Sequence, residues 1–302
     1  MRRFLKDVIV YISIILLFNM LIFFAIRPLY DDSSYLCTVI ESDPTTEVFI
    51  LSDSHGTKLD SETLQEAGIT NLSIGSDSYS DMYEKTKYII DNFNAKAIII
   101  SVDAHTLSKY RESSNNNDLS GLLNETKGNF VSLASAYFPL LNTRYRDLFK
   151  AFVLSRFEAM SNRMQPSKDT SHIDWVDAPN KEEVARSRFQ YQFPTGSESE
   201  LLRNDLQRII DLCGENSIRL IGIRYPLAQI YQNMLIGHDY GAKEIFVRQS
   251  LPVFDYETIF DEKDNYFSDP DHVNTEGGLK LSQFLVEDVL EYLRKEEQGF
   301  EN

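Results

Sequence analysis

Cysteine and tryptophan are scarce in this 302-residue chain, which has two of the first and one of the second. Cys37 and Cys213 allow at most one disulfide. Cys213 also falls in phase with Leu202, Leu206, Ile209 and Ile210 on one helical face, where a cysteine reads as a small buried apolar residue. Two free thiols are the expectation. Positive charge is in short supply as well: 30 Lys and Arg stand against 46 Asp and Glu, a formal net charge of −16. No basic stripe or aromatic-basic interleaving offsets that surplus, so nucleic acid would be repelled and is excluded as a partner. The chain has no internal repeat and no low-complexity tract, which removes repeat architectures from consideration.

What the chain does have is one long apolar run. Val8 to Ile26 contains no charge, and its only polar side chains are Tyr11, Ser13 and Asn19. Nineteen helical residues would span ~28 Å, close to the ~30 Å hydrocarbon core of a bilayer. Arg2, Arg3 and Lys6 precede the run, and Asp31 and Asp32 follow Arg27. These flanks predict a single-pass anchor in the lipid bilayer, with the amino terminus cytoplasmic and the rest outside. A cleaved signal peptide fits less well, because the run is long and Ile26-Arg27-Pro28-Leu29-Tyr30 offers no small-residue cleavage site. Residues 1–30 are therefore read as tip and anchor, and 31–302 as an extracytoplasmic domain.

Within that domain the patterning alternates. Apolar runs at Glu47 to Ser52, Thr70 to Gly75, Ala97 to Val102, Ile218 to Ile223 and Pro252 to Tyr256 predict five strands. Helical spacing over Tyr79 to Phe93, Leu201 to Cys213 and Thr275 to Leu293 predicts helices between and after them. This is the signature of an α/β fold: a flavodoxin-like, parallel five-stranded sheet with helices on both faces. Residues at about 111–195 break the alternation and read as a helical insertion over the active rim.

The chemistry-bearing residues sit where such a sheet places a site, beyond the carboxyl ends of strands. Ser52-Asp53-Ser54-His55-Gly56 follows the first apolar run, and Asp269-Pro270-Asp271-His272 precedes the last helix. Serine is a poor nucleophile unless an imidazole takes its proton, and the imidazole needs a carboxylate to fix its tautomer. Ser54, His272 and Asp269 supply those three groups, with Asp271 as the alternative acid.

These two motifs resemble those of the SGNH (GDSL-type) hydrolase superfamily, although the first reads Ser-Asp-Ser rather than Gly-Asp-Ser. The resemblance implies that Ser54 is the nucleophile, His272 the base and Asp269 its orienting acid, with no cofactor. It implies oxyanion donors at the Ser54 amide and at Gly75. The third donor of the family is an Asn side chain, and Asp103 stands at that position. An ionised carboxylate cannot donate a hydrogen bond, so the Asp103 role departs from the pattern. The layout is similar to that of membrane-anchored members that act in alginate O-acetylation and teichoic-acid D-alanylation. A cell-envelope glycan substrate and a membrane-bound O-acyltransferase partner follow as expectations, with Ser54 either removing acyl groups or passing them on.

Two other classes stay open. Asp53-x-His55-Gly56 and Asp103-x-His105 resemble the first metal-binding motif of calcineurin-like metallophosphoesterases, but the later motifs of that family are incomplete, Gly237-His238-Asp239 being only a fragment. A catalytically inert SGNH-like scaffold of an acylation complex is the non-enzymatic alternative.

Overall fold

The computed structural model describes residues 6, 10–21, 34–40, 42–121, 123–124, 175–194 and 198–299. The chain divides into two compact units, one of Met1–Glu41 with Asp118–Ser171 and one of Ser42–Asn117 with His172–Asn302. The first contributes α1 (residues 10–21) and α2 (Ser34–Ile40). No helix among the described residues is long and apolar enough to cross a membrane. The single-pass placement expected from the Val8 to Ile26 run, with its cytoplasmic amino terminus and external domain, is corrected by that finding. The Cys37 side chain and most of the 111–195 stretch lie outside the described residues; Cys213 is buried and free.

The second unit carries the alternating elements. In chain order they are β1 (Val48–Leu51), α3 (Ser61–Glu66), β2 (Ile69–Asn71), α4 (Tyr79–Asn92) and β3 (Ala97–Ser101). Where the chain leaves this unit it forms α5 (Asn117–Ser120), and it returns into α6 (Lys181–Gln192), α7 (Glu200–Glu215) and β4 (Arg219–Arg224). Then come α8 (Gln229–Leu235), α9 (Ala242–Arg248), β5 (Val253–Asp255) and α10 (Thr275–Gly299). The five strands pair in the order β2-β1-β3-β4-β5, and every pair is parallel.

Parallel strands covered on both faces read as unbroken apolar runs, and all residues of β1 and β3 are buried. Side chains alternate between faces with period two. Ile50, Ile99, Ile221 and Ile223 join Leu281, Leu285 and Val289 of α10 in one core. Each fully buried side chain of this kind contributes about 1.5–3 kcal/mol. Phe49 points to the opposite face and meets the Phe93 ring at 5.0 Å, on the side where α4 packs against α7. Local chemistry starts both helices: the Asp81 carboxylate accepts from the Ser78 amide and hydroxyl, and Ser199 accepts from the Leu202 amide.

Candidate active site

β1 is followed by Ser52-Asp53, and the chain turns at once into a 3-10 helix over Ser54–Lys58. Asp53 caps it by accepting from the His55 amide at 3.0 Å, so the carboxylate before the serine shapes the turn that presents it. Glycine is needed at 56: a Cβ there would fall 2.3 Å from Ser73 Oγ and 2.8 Å from the Tyr225 hydroxyl. The tight turn leaves Ser54 partly exposed while His55 and Gly56 are buried.

The second half of the site is a closed loop built by its own polar atoms. Asp269 Oδ1 accepts from the Asp271 and His272 amides at 3.0 and 2.9 Å, the local capping at which aspartate excels. The His272 carbonyl accepts from the Ser268 amide at 2.9 Å, closing the loop. α10 follows closely and carries Gly277-Gly278 in its first turn, a pair that costs helix propensity and calls for a packing reason. A Cβ on Gly278 would lie 1.9 Å from the Lys58 carbonyl oxygen, and one on Gly277 2.3 Å from that of Tyr266. The two glycines let the start of α10 press on the end of the Ser54 turn, which brings the loop and the turn together.

In that position His272 Nε2 lies 2.8 Å from Ser54 Oγ. His272 Nδ1 faces Asp269 Oδ1 at 2.9 Å and Oδ2 at 3.0 Å, and Asp271 Oδ1 at 3.2 Å. Two carboxylates share the orienting position. They differ in setting: the Asp269 side chain is 44 % exposed and that of Asp271 1 %. Burial alone would lower the His272 imidazole, but the hydrogen bonds to Asp269 and Asp271 raise it above the ordinary histidine value.

Gly75 stands beside the serine, since a Cβ on it would lie 4.0 Å from Ser54 Cβ. Its amide has no protein acceptor among the described residues. The turn that carries it closes through the Asp77 amide on the Ile74 carbonyl and holds Ser76 at a left-handed φ of 72°. Lys85 fastens the segment from beneath, donating to the Leu72 carbonyl and to Asp77, and Asn116 donates to the Gly75 carbonyl at 2.9 Å.

Asp103, expected beside the oxyanion groups, has both carboxylate oxygens engaged. Oδ1 accepts from the Tyr225 amide at 2.8 Å, and Oδ2 faces His55 Nδ1 at 2.9 Å. It belongs to a buried network behind the serine that sequence reasoning missed as a unit. His55 Nε2 lies 3.3 Å from Asp271 Oδ2. That same oxygen accepts from Arg188 Nε at 2.7 Å and Gln192 Nε2 at 2.6 Å. His105 Nε2 lies 2.8 Å and Arg111 3.3 Å from Asp53 Oδ2. Burial pushes Asp53 up, yet the charge of His55, the hydrogen bond from His105 and the charge of Arg111 hold it well below the usual carboxylate range. The repeated Asp-x-His spacing was the available signal, but it pointed to metal ligation.

Donor atoms of Asp53, His55 and His105, and of His55, Asp271 and His272, do lie within 4.8 Å of one another. The donor set nonetheless fits a metal poorly. His105 and Arg111 already meet the Asp53 carboxylate, and both ring nitrogens of His55 face other carboxylates. His238 of the Gly237-His238-Asp239 fragment stands apart, packed against Phe189 at 4.8 Å.

Comparison with solved structures finds matches of low identity and low TM-score. The chain is similar to GDSL-type hydrolases. A GDSL-like lipase from Bacteroides thetaiotaomicron matches 86 % of this chain and 96 % of its own length, at 10 % identity and a TM-score of 0.44. A proposed acylhydrolase from Bacteroides fragilis covers 86 % and 98 %, at 11 % identity and 0.44. A proposed lipolytic protein of the G-D-S-L family from Desulfitobacterium hafniense covers 80 % and 99 %, at 10 % identity and 0.41. No family model and no curated protein matches the chain.

Proposed function

We propose that the chain is a serine acyl-ester hydrolase with Ser54 as nucleophile, His272 as general base and acid, and Asp269 with Asp271 as orienting carboxylates. The observation that carries this reading is the 2.8 Å contact between His272 Nε2 and Ser54 Oγ, backed by carboxylates on Nδ1. Ser54 Oγ attacks the ester carbonyl carbon while its proton passes to His272 Nε2. The amides of Ser54 and Gly75 receive the developing oxyanion. The carbon–oxygen bond to the leaving alcohol then breaks, the alcohol takes the proton from His272, and an acyl-Ser54 ester remains. Water, deprotonated by His272, releases the acid and restores Ser54.

The surroundings of Asp269 support our reading of the substrate class. A groove of about 750 Å³ runs past Asp269 and Asp271, lined also by Asn180, Glu183, Ser187 and Tyr191. Amide, hydroxyl and carboxylate side chains beside Val184, Pro270 and a half-exposed tyrosine ring suit a polyhydroxylated chain that also presents apolar ring faces. An O-acylated glycan of the cell envelope is the substrate we assign. When a sugar hydroxyl takes the place of water, the same acyl-Ser54 ester becomes a transferase intermediate, and a membrane-bound O-acyltransferase is then the partner that supplies the acyl group.

The test is turnover of a small acetyl ester and of an O-acetylated glycan by the wild-type chain, Ser54→Ala and His272→Ala. Each variant should lose at least about 10⁴-fold in kcat/KM with its circular dichroism unchanged. Wild-type turnover by Ser54→Ala would contradict the reading.

A further inference from the structure

His55 directly follows the candidate nucleophile, yet it takes no part in the steps above. Its side chain is 1 % exposed. The groups around it come from four segments: Asp53 in its own turn, Asp103 and His105 after β3, Tyr225 after β4, and Asp271 and His272 before α10. Nδ1 lies 2.9 Å from Asp103 and Nε2 3.3 Å from Asp271. A neutral imidazole donates from one nitrogen only, whereas the imidazolium donates from both.

Two features decide between these forms. Asp271 Oδ2 already accepts from Arg188 and Gln192, which marks it as an ionised acceptor toward which His55 Nε2 can only donate. The placement of the cations points the same way. Asp53, Asp103 and Asp271 are three buried carboxylates; Arg111 lies on Asp53 and Arg188 on Asp271, and of the imidazoles His105 meets Asp53, which Arg111 already pairs, whereas His55 is the one that meets Asp103. An unpaired buried charge costs several kcal/mol.

We propose that His55 is a positioning residue of the Ser54–His272 site: a buried imidazolium clamped between Asp103 and Asp271. Through Asp271 it fixes the second carboxylate on His272 Nδ1. As a cation whose ring stands 5.0 Å from that of His272, it also opposes protonation of the base. The base is thereby kept neutral, and able to accept the serine proton, at a lower pH than its two carboxylates alone would allow. The inference rests on the serine-hydrolase reading for its purpose, but its physical content can be read without turnover.

The experiment is ¹⁵N imidazole NMR across pH on the full chain, whose five histidines are assigned by single His→Gln variants. His55 should show both ring nitrogens protonated at pH 7.5, while neighbouring His105, which donates from Nε2 to Asp53, shows one. In His55→Gln the His272 titration should move up by about one pH unit, the scale of losing one cation ~5 Å away in a partly screened interior. The acid limb of kcat/KM on an acetyl ester should move with it, a change that loss of packing alone would not produce. Should His55→Gln fail to fold, Asp103→Asn removes one clamp and should let His55 deprotonate at lower pH than in the wild type. A neutral His55 at pH 7.5, or a His272 midpoint unmoved in His55→Gln, overturns the proposal. Absence of ester turnover with the NMR pattern intact would instead contradict the hydrolase reading.

Discussion

Gly278 and Lys58 meet so closely that a Cβ on the glycine would lie 1.9 Å from the lysine carbonyl oxygen. Through this contact α10 sets the distance between the loop carrying His272 and the turn carrying Ser54. Gly278→Ala should therefore destabilise the fold by about 1–3 kcal/mol through overpacking and lower kcat as the two halves separate. Gly214 in α7 has nothing within 4 Å of its Cβ position, so Gly214→Ala should stabilise by about 0.4–1 kcal/mol with kcat unchanged. Urea unfolding and ester kinetics on the two variants check both signs.

Asp269 and Asp271 share His272 Nδ1 but should fail differently. Asp269→Ala leaves Asp271 at 3.2 Å on the imidazole, so part of the activity should survive, and loss of its two loop amide bonds should cost about 0.5–2 kcal/mol. Asp271→Ala strips the buried carboxylate from His55, Arg188 and Gln192. Unpairing buried cations costs about 3–5 kcal/mol, so this variant should show the larger drop in denaturant midpoint. Equal stability of the two variants would contradict the hub role of Asp271.

The pH dependence has a definite sign. His272 acts as a base only when neutral, and its two carboxylates raise it above the ordinary histidine value. The kcat/KM profile should rise with pH through a midpoint above 6.5 and then level off. Stability runs the other way for this group: with the folded value raised, its contribution is full below the unfolded value and is lost as pH rises through the folded one. Asp271 is pushed up by burial but held well below the carboxylate range by its bonds to His272 and His55. Its contribution is present above about pH 3.9 and lost as pH falls through the folded value. A kcat/KM midpoint below 6 would contradict the arrangement at Nδ1.

Much of the fold is legible because burial on both faces writes each parallel strand as an apolar run. The predicted Ala97 to Val102 run and the observed Ala97–Ser101 strand differ by one residue. The short helices α3, α8 and α9 carry little periodicity and escape notice. The motifs at Ser54 and His272 stand out because each is a turn directly after or before a regular element. Their convergence is a tertiary fact across 218 residues, set by the Gly277-Gly278 contact rather than by either motif. The network of Asp53, His55, Asp103, His105 and Asp271 was hidden for the same reason. Residue types give its members as potential ligands, and only the closed fold shows each with an ionic partner.

The central claim is that His272 activates Ser54 as a nucleophile. Its most direct test is a fluorophosphonate probe followed by peptide mapping of the adduct. The account predicts a single phosphonyl adduct on Ser54 in the wild-type chain, and none in Ser54→Ala or His272→Ala under the same exposure. A wild-type chain that stays unlabelled at Ser54 while folded, or a His272→Ala chain labelled at the wild-type rate, would contradict it.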